Sequence, residues 1–357
     1  MNKSPVHYGE YLELNTIIHA QNPKTDAHEE MLFIITHQAY ELWFKQILHE
    51  VNSALIIMKK QRVSPSEISV VAHRMQRVTE IQRVLNQQLH IMETMTPMEF
   101  LEFRDELVPA SGFQSLQFRE IETKLGLKQK FRLKADREFF KSRLSAKEQA
   151  QLLEVDLSPS LLELLDQWLS RMPYAQTDDF NFWDEYQKSV AMLHKTERDI
   201  IFKNSFMSEK EKEFQFKNLE SSIDSFAVLF SDKRYTELLE KGEVRLTRKA
   251  KLAAIFIRLF RHEPVMQLPN RLLETLLDVD ELFTTWRYRH AIMAQRLLGM
   301  KVGTGGSSGH DYLKRSTDNN RIYKELFALS TYLLPIEKTP KLPSDLKKKM
   351  GFLMEEN

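Results

Sequence analysis

A chain of 357 residues with 51 basic and 50 acidic side chains, a formal net charge of +1 and no cysteine excludes disulfides, thiolate metal sites and cysteine nucleophiles. It also gives no sign of a polyanionic partner, which normally demands a basic excess, so no nucleic acid is expected. The hydrophobic fraction of 42% suffices for a packed interior rather than a disordered chain. Ten glycines in the whole chain, against an average usage of roughly 7%, imply few turns and long uninterrupted segments, and so helices. The first residues, MNKSPVHYGEYLELN, lack the apolar core of a secretory signal. Runs such as ALIIM and LAAIFI are too short to span a bilayer. The expectation is a soluble, cytoplasmic protein with no membrane partner.

In chain order, the first long helix is predicted to begin near Asp26, where DAHE places an aspartate at the N-cap and Glu29 at N3. Leu32, Ile35, Ala39, Trp43, Ile47 and Val51 then recur at three- and four-residue spacing and give one apolar face. A second helix is predicted over about 68–93. TPMEFLEFRDEL opens a third, with Thr96 as N-cap, Pro97 at N1 and Glu99 at N3, and VPASGFQS breaks it. Residues 126–180 are heavily charged and poorly periodic, and read as a small accessory helical region with a short helix capped by Ser158 and Pro159. Two long helices fit FNFWDEYQKSVAMLHKTERDIIFKN and FKNLESSIDSFAVLF. LTRKAKLAAIFIRLFRHEP starts at a Thr247 cap and stops before Pro264. The last major helix is predicted over about 271–298, ending at Gly299. No β-hairpin signal and no repeat of fixed period is evident. The fold expected is all-α: a helical core bundle from 1–125 and 181–335, the accessory region 126–180, and an extended Pro- and Lys-rich tail over 336–357.

The chemistry-bearing residues cluster in WRYRHAIMAQRLLGMKVGTGGSSGHDYL. Trp286, His290, Met293 and Leu297 share one helix face, so His290 points inward. Taken alone, a hydrogen-bonded core histidine is the commoner explanation. No second ligand stands three or four residues away, which argues against zinc, whereas a single imidazole in an apolar, aromatic pocket is what haem iron requires. Arg287, Arg289 and Arg296 either face propionates or reach solvent. The loop GTGGSSG concentrates glycine in a glycine-poor chain. It lacks the lysine and strand context of a phosphate-binding loop, and fits better a close approach of backbone and the Thr304 hydroxyl to a small ligand. On the first long helix Phe33 and His37 are i and i+4, with Glu41 one turn on. Phe100 and Arg104 repeat that spacing. An arginine on a partly apolar face suits a carboxylate partner, which an internal glutamate also supplies.

Read together, YGEYL, HEEMLFIITHQAYELWFKQILHE, ETMTPMEFLEFRDELVPASGFQSLQFR and WRYRHAIMAQRLLGMKVGTGGSSGHDYL resemble the tryptophan 2,3-dioxygenase family, over roughly residues 8–335 and with the motif order preserved. The resemblance implies an all-helical fold like that of the indoleamine and tryptophan dioxygenases, with one haem b per subunit, active as Fe(II). It also implies a homotetramer, a dimer of dimers that exchanges N-terminal arms, and insertion of both atoms of O₂ across the indole C2–C3 bond of L-tryptophan to give N-formyl-L-kynurenine, the first step of tryptophan degradation by the kynurenine route.

Carried over by the same resemblance, His290 matches the proximal iron ligand and His37 the distal histidine that receives the indole N–H. Phe33 matches the wall beside the substrate ring, Arg104 the carboxylate-binding arginine, and Thr304 the hydroxyl that holds the amino-acid end. Ser111 and Gly112 match the distal loop near oxygen. Tyr8 and Tyr11 match tyrosines that reach into a neighbouring subunit's pocket. Trp286 and Leu89 fall against the cofactor. Phe100 stands where certain members carry tyrosine, so a phenol hydrogen bond to substrate is expected to be missing, and Leu89 stands where others carry a bulky aromatic. The competing expectations are a haem- or gas-sensing protein without catalysis, a dioxygenase for a substituted indole, and a helical interaction protein without cofactor. A sensor has no need of the clamp formed by Arg104 and Thr304.

Overall fold

The structure, a computed structural model, describes residues 6–108, 112–132, 134–173, 176–177, 180–299, 317 and 319–351. The helices run Tyr8–Tyr11 (α1), Leu14–Ile17 (α2), His28–Met58 (α3), Pro65–Met92 (α4), Pro97–Phe103 (α5), Leu116–Leu125 (α6), Lys134–Lys141 (α7), Ala146–Leu157 (α8), Leu161–Leu169 (α9), Phe182–Lys203 (α10), Glu209–Phe230 (α11), Asp232–Glu240 (α12), Arg248–Leu259 (α13) and Pro264–Leu298 (α14). The fold is all-α. Its one departure among the described residues is an antiparallel pair of two-residue strands, β1 (Gln176–Thr177) and β2 (Phe180–Asn181), with Gln176 opposite Asn181. Nothing in the hydrophobic pattern announces so short a ladder. Among the described residues no helix is long and apolar enough to cross a membrane.

Capping residues set most of the helix starts. The Thr96 box on α5 is present as expected, and the same reciprocal Ser/Glu arrangement opens α4 at Ser64, α8 at Ser145, α9 at Ser160 and α11 at Ser208. In each, the hydroxyl accepts from the N3 amide and the N3 glutamate accepts from the cap amide, satisfying donors the helix cannot. The cap of α9 is thus Ser160 rather than Ser158. At α3 the expected Asp26 cap is replaced by another device. The N-cap is Ala27 without a side-chain bond, and buried Glu30 reaches back to accept from the amides of Lys24 and Thr25 and from the Thr25 hydroxyl at 2.7–2.8 Å. A carboxylate at a helix N-terminus also meets the favourable end of the macrodipole.

α4 lies between α3 and α14, and these three helices carry the core. Ile47, Val51 and Ala54 of α3, Val71, Met75 and Val78 of α4, and Leu276 and Val279 of α14 are fully enclosed. α14 begins at Pro264, one and a half to two turns earlier than the sequence reading of 271. Proline at N1 needs no amide bond and presets φ, and the helix continues through Pro269. It ends at Gly299, whose φ of 59° and ψ of −129° suit only glycine. α9 packs on α3 and α13 and buries Leu161, Leu165 and Leu169 in the main core, whereas Phe140, Leu144 and Leu152 form a small separate cluster against Leu116.

A buried ion cluster joins the pieces. Glu122 of α6 lies 2.6 Å from Arg287 Nη2, 2.9 Å from Arg132 Nη1 and 3.1 Å from Arg119 Nη1. Burial pushes the Glu122 carboxyl up, but Arg132, Arg287 and Arg119 outweigh it and hold it at about 2. Asp280 of α14, fully buried, accepts from the amides of Ile322 and Tyr323 at 2.9 and 3.0 Å, tying that strand of chain to the core. The expected extended tail is corrected in part: Ser344–Met350 is helical, because Leu346 and Met350, i and i+4, bury together against α14.

Candidate active site

Three elements bring five of the sequence-predicted residues together: Phe33 and His37 on α3, Phe100 on α5, and Trp286 and His290 on α14. His37 sits on α3 one turn after Phe33, with ring centroids 4.1 Å apart. Its Nδ1 is 2.7 Å from the Phe33 carbonyl oxygen. A carbonyl only accepts, so Nδ1 carries the proton and Nε2 is left as an acceptor. Burial lowers the His37 pKa, against the smaller upward pulls of the Phe33 carbonyl and Glu41. The ring is therefore neutral near pH 7.

The aromatic wall continues onto α5. Phe33 lies 6.0 Å from Phe100 and 5.6 Å from Phe103, and Phe100 meets Phe103 edge-on at 5.5 Å. Phe103, fully buried, is a wall residue the sequence reading missed, although its i+3 spacing from Phe100 was the available signal. Arg104 follows at the C-cap of α5 and opens the 3₁₀ turn Arg104–Leu107. Its side chain is 14% exposed, and its Nη1 lies 3.7 Å from the exposed Asp105 carboxylate. Gly112 opens the next 3₁₀ turn, Gly112–Gln114. Leu89 is buried on α4.

On α14, Trp286 and His290 are stacked, with centroids 5.1 Å apart and planes 7° apart. Tyr40 at 6.0 Å and Phe118 at 5.2 Å enclose Trp286, two further residues the sequence reading did not single out. The Tyr40 hydroxyl donates to the Leu85 carbonyl at 2.7 Å, joining α3 to α4 beside the site. Burial pushes the His290 imidazole down to about 4, with the nearby His37 adding to the shift. Its Nδ1 is buried without a hydrogen-bond partner. A neutral imidazole buried in an aromatic setting fits a residue that would hold the iron of a haem through Nε2, with Nδ1 left enclosed. Among the described residues no three histidine, aspartate or glutamate side chains form a metal cage.

The described geometry thus assembles Phe33, His37, Phe100 and Phe103 in one aromatic group and stacks Trp286 with His290 nearby. Tyr8 and Tyr11 are not brought to these residues; both are three-quarters exposed on α1, which buries nothing. Ser111 and Thr304, with the whole GTGGSSG loop, lie outside the described residues.

Comparison with known proteins identifies a family. A family model described as tryptophan 2,3-dioxygenase matches residues 1–333. A tryptophan 2,3-dioxygenase of Alteromonas mediterranea is 45% identical over 99% of both chains, and one of Bdellovibrio bacteriovorus is 43% identical over 99% of both. That of Mus musculus is 41% identical over 96% of this chain and 85% of its own. Matches of this identity and coverage, on a chain whose helices gather the residues described above, make it a member of the tryptophan 2,3-dioxygenase family.

Proposed function

We propose that the protein is a haem-dependent dioxygenase that converts L-tryptophan and O₂ to N-formyl-L-kynurenine, opening the pyrrole ring of the indole. Both oxygen atoms enter the product, so no further oxidant or reductant is consumed. The observation that carries the reading is a fully buried, neutral histidine, His290, stacked on Trp286, together with His37, whose one free nitrogen is fixed as an acceptor beside an aromatic wall.

In this reading His290 holds the iron of a haem b, with Leu89 and Trp286 against the cofactor. The haem, when bound as Fe(II), supplies O₂ activation. This chain's residues supply position. Phe33, with Phe100 and Phe103, forms an apolar slot for the indole. Nε2 of His37 accepts the indole N–H and holds that proton's partner in place. Arg104 receives the substrate carboxylate, its planar fork matching two oxygens. Thr304 takes the amino-acid end, and Ser111 and Gly112 border the oxygen side. Phe100 offers no hydroxyl to the substrate, so orientation rests on His37, Arg104 and Thr304. Fixing both reactants in this way is worth up to roughly 7–11 kcal/mol of barrier.

The reading includes a cytoplasmic homotetramer, a dimer of dimers. The exposed Tyr8 and Tyr11 on an arm that buries nothing of its own support their insertion at a neighbouring subunit's pocket. The test is direct. Reduced, haem-loaded protein mixed with L-tryptophan and oxygen is expected to develop the formylkynurenine absorbance; a haem-replete preparation that forms none contradicts the proposal.

A further inference from the structure

A histidine that ligates a metal ordinarily donates its second ring N–H to a carboxylate, a carbonyl or water, and that bond fixes the ring's rotation. His290 has no such acceptor in the described protein: its Nδ1 is enclosed and unpartnered. Among the described residues, packing is what sets the orientation of the imidazole.

Two features of α14 do so. Trp286, one turn earlier, lies flat on the His290 ring at 7° and is itself held between Tyr40 and Phe118, so it cannot rotate away without disturbing α3 and α6. The register of α14 is pinned to α4 at the same level. Asn86 Nδ2 donates to the Leu282 carbonyl at 3.2 Å. In the opposite direction, Arg289 Nη1 donates to the Asn86 carbonyl at 2.7 Å while its Nη2 reaches the Glu93 carboxylate at 3.2 Å. Gln82 Nε2 adds a bond to the Val279 carbonyl at 3.1 Å. A slip of one residue would move His290 by about 1.5 Å and turn it by about 100°, and would break each of these bonds, with Gln82 and Asn86 left buried.

We propose that Trp286 is a positioning residue for His290, orienting the imidazole by stacking, within a helix register fixed by the Asn86–Arg289 pair. This rests on the reading of His290 as the iron ligand.

The test uses the full-length, haem-loaded protein. The iron–histidine stretching band of the ferrous form is recorded by resonance Raman for the wild type, Trp286→Phe, Trp286→Leu and Asn86→Leu, with haem content and circular dichroism confirming a loaded fold. One narrow band is expected for the wild type and for Trp286→Phe, which keeps a stacking ring. A broadened or split band is expected for Trp286→Leu and Asn86→Leu, with kcat lowered on the order of 10-fold and KM for tryptophan within about twofold, since the substrate side is untouched. A wild-type band in Trp286→Leu, or equal broadening in Trp286→Phe, overturns the proposal. Should Trp286→Leu fail to load haem, Trp286→Met replaces it under the same criteria. His290→Gly separates the two levels of the argument: haem uptake restored by added imidazole upholds the ligand, so an unmoved band in Trp286→Leu then sinks positioning alone. Full haem uptake by His290→Gly without imidazole sinks the ligand reading itself.

Discussion

His37 shows how much one hydrogen bond decides. Because its Nδ1 is committed to the Phe33 carbonyl, the ring in the proposed site meets substrate only as an acceptor, and only while neutral. Burial lowers its pKa, so the accepting form persists below the ordinary value near 6.5. The account therefore expects kcat/KM to stay level as pH falls from 8 through 6.5 and to decline only below that. A limb with its midpoint at or above 6.5 assigned to His37, by its loss in His37→Ala, contradicts it. His37→Ala is expected to lower kcat on the order of 10²-fold with haem still bound; loss of haem would make its role structural. Arg104→Ala is expected to raise KM for tryptophan on the order of 10²-fold, the loss of a charge-assisted pair, and an unaltered KM would put the carboxylate elsewhere. The Phe33–His37 pair was legible in the sequence because i and i+4 residues on a helix must meet. The choice of Nδ1 as donor was not, since it depends on the ring's rotation.

At the scale of elements, the junction of α6 with α14 is the point most exposed to a single change. Glu122 is the one carboxylate among the described residues that Arg119, Arg132 and Arg287 share. Glu122→Gln leaves buried guanidinium groups without it, and should cost about 3–5 kcal/mol, measurable as a shift in denaturant midpoint; a change below about 1 kcal/mol would show the cluster to be incidental. The carboxyl is depressed in the folded state, so its contribution is fully present above the unfolded value of 4.5 and is lost as pH falls from there toward about 2. Stability of the wild type should fall through that window and that of Glu122→Gln less steeply. None of this was readable in the sequence, because Arg287 stands 165 residues from Glu122. Local signals fared better: Thr96, Pro97 and Glu99 named the start of α5 correctly. They failed at α3, where the cap comes from Glu30 folding back on Thr25, and at α14, where Pro264 looked like a stop but serves as the first helical residue.

For the whole molecule, the sequence pattern conveyed an all-α chain and the neighbours within each helix, because periodicity reports which face is buried. Which faces meet is a tertiary matter, and so Tyr40, Phe103 and Phe118 entered the site only with the structure. The proposed clamp of Arg104 and Thr304 implies an enzyme selective for tryptophan. A clamp for both charged ends leaves a buried partner unpaired when they are missing, and L-tryptophan should be favoured over plain indole by a factor on the order of 10⁴ in kcat/KM; comparable turnover of the two would remove Arg104 from its role. The most direct measurement of the central claim, that His290 holds a haem beside a tryptophan site, is mass spectrometry of the product formed from L-tryptophan under ¹⁸O₂. The account predicts a product carrying both labelled atoms from the reduced, haem-loaded protein and none from His290→Ala. A product with one labelled atom, or undiminished product from His290→Ala, would contradict it.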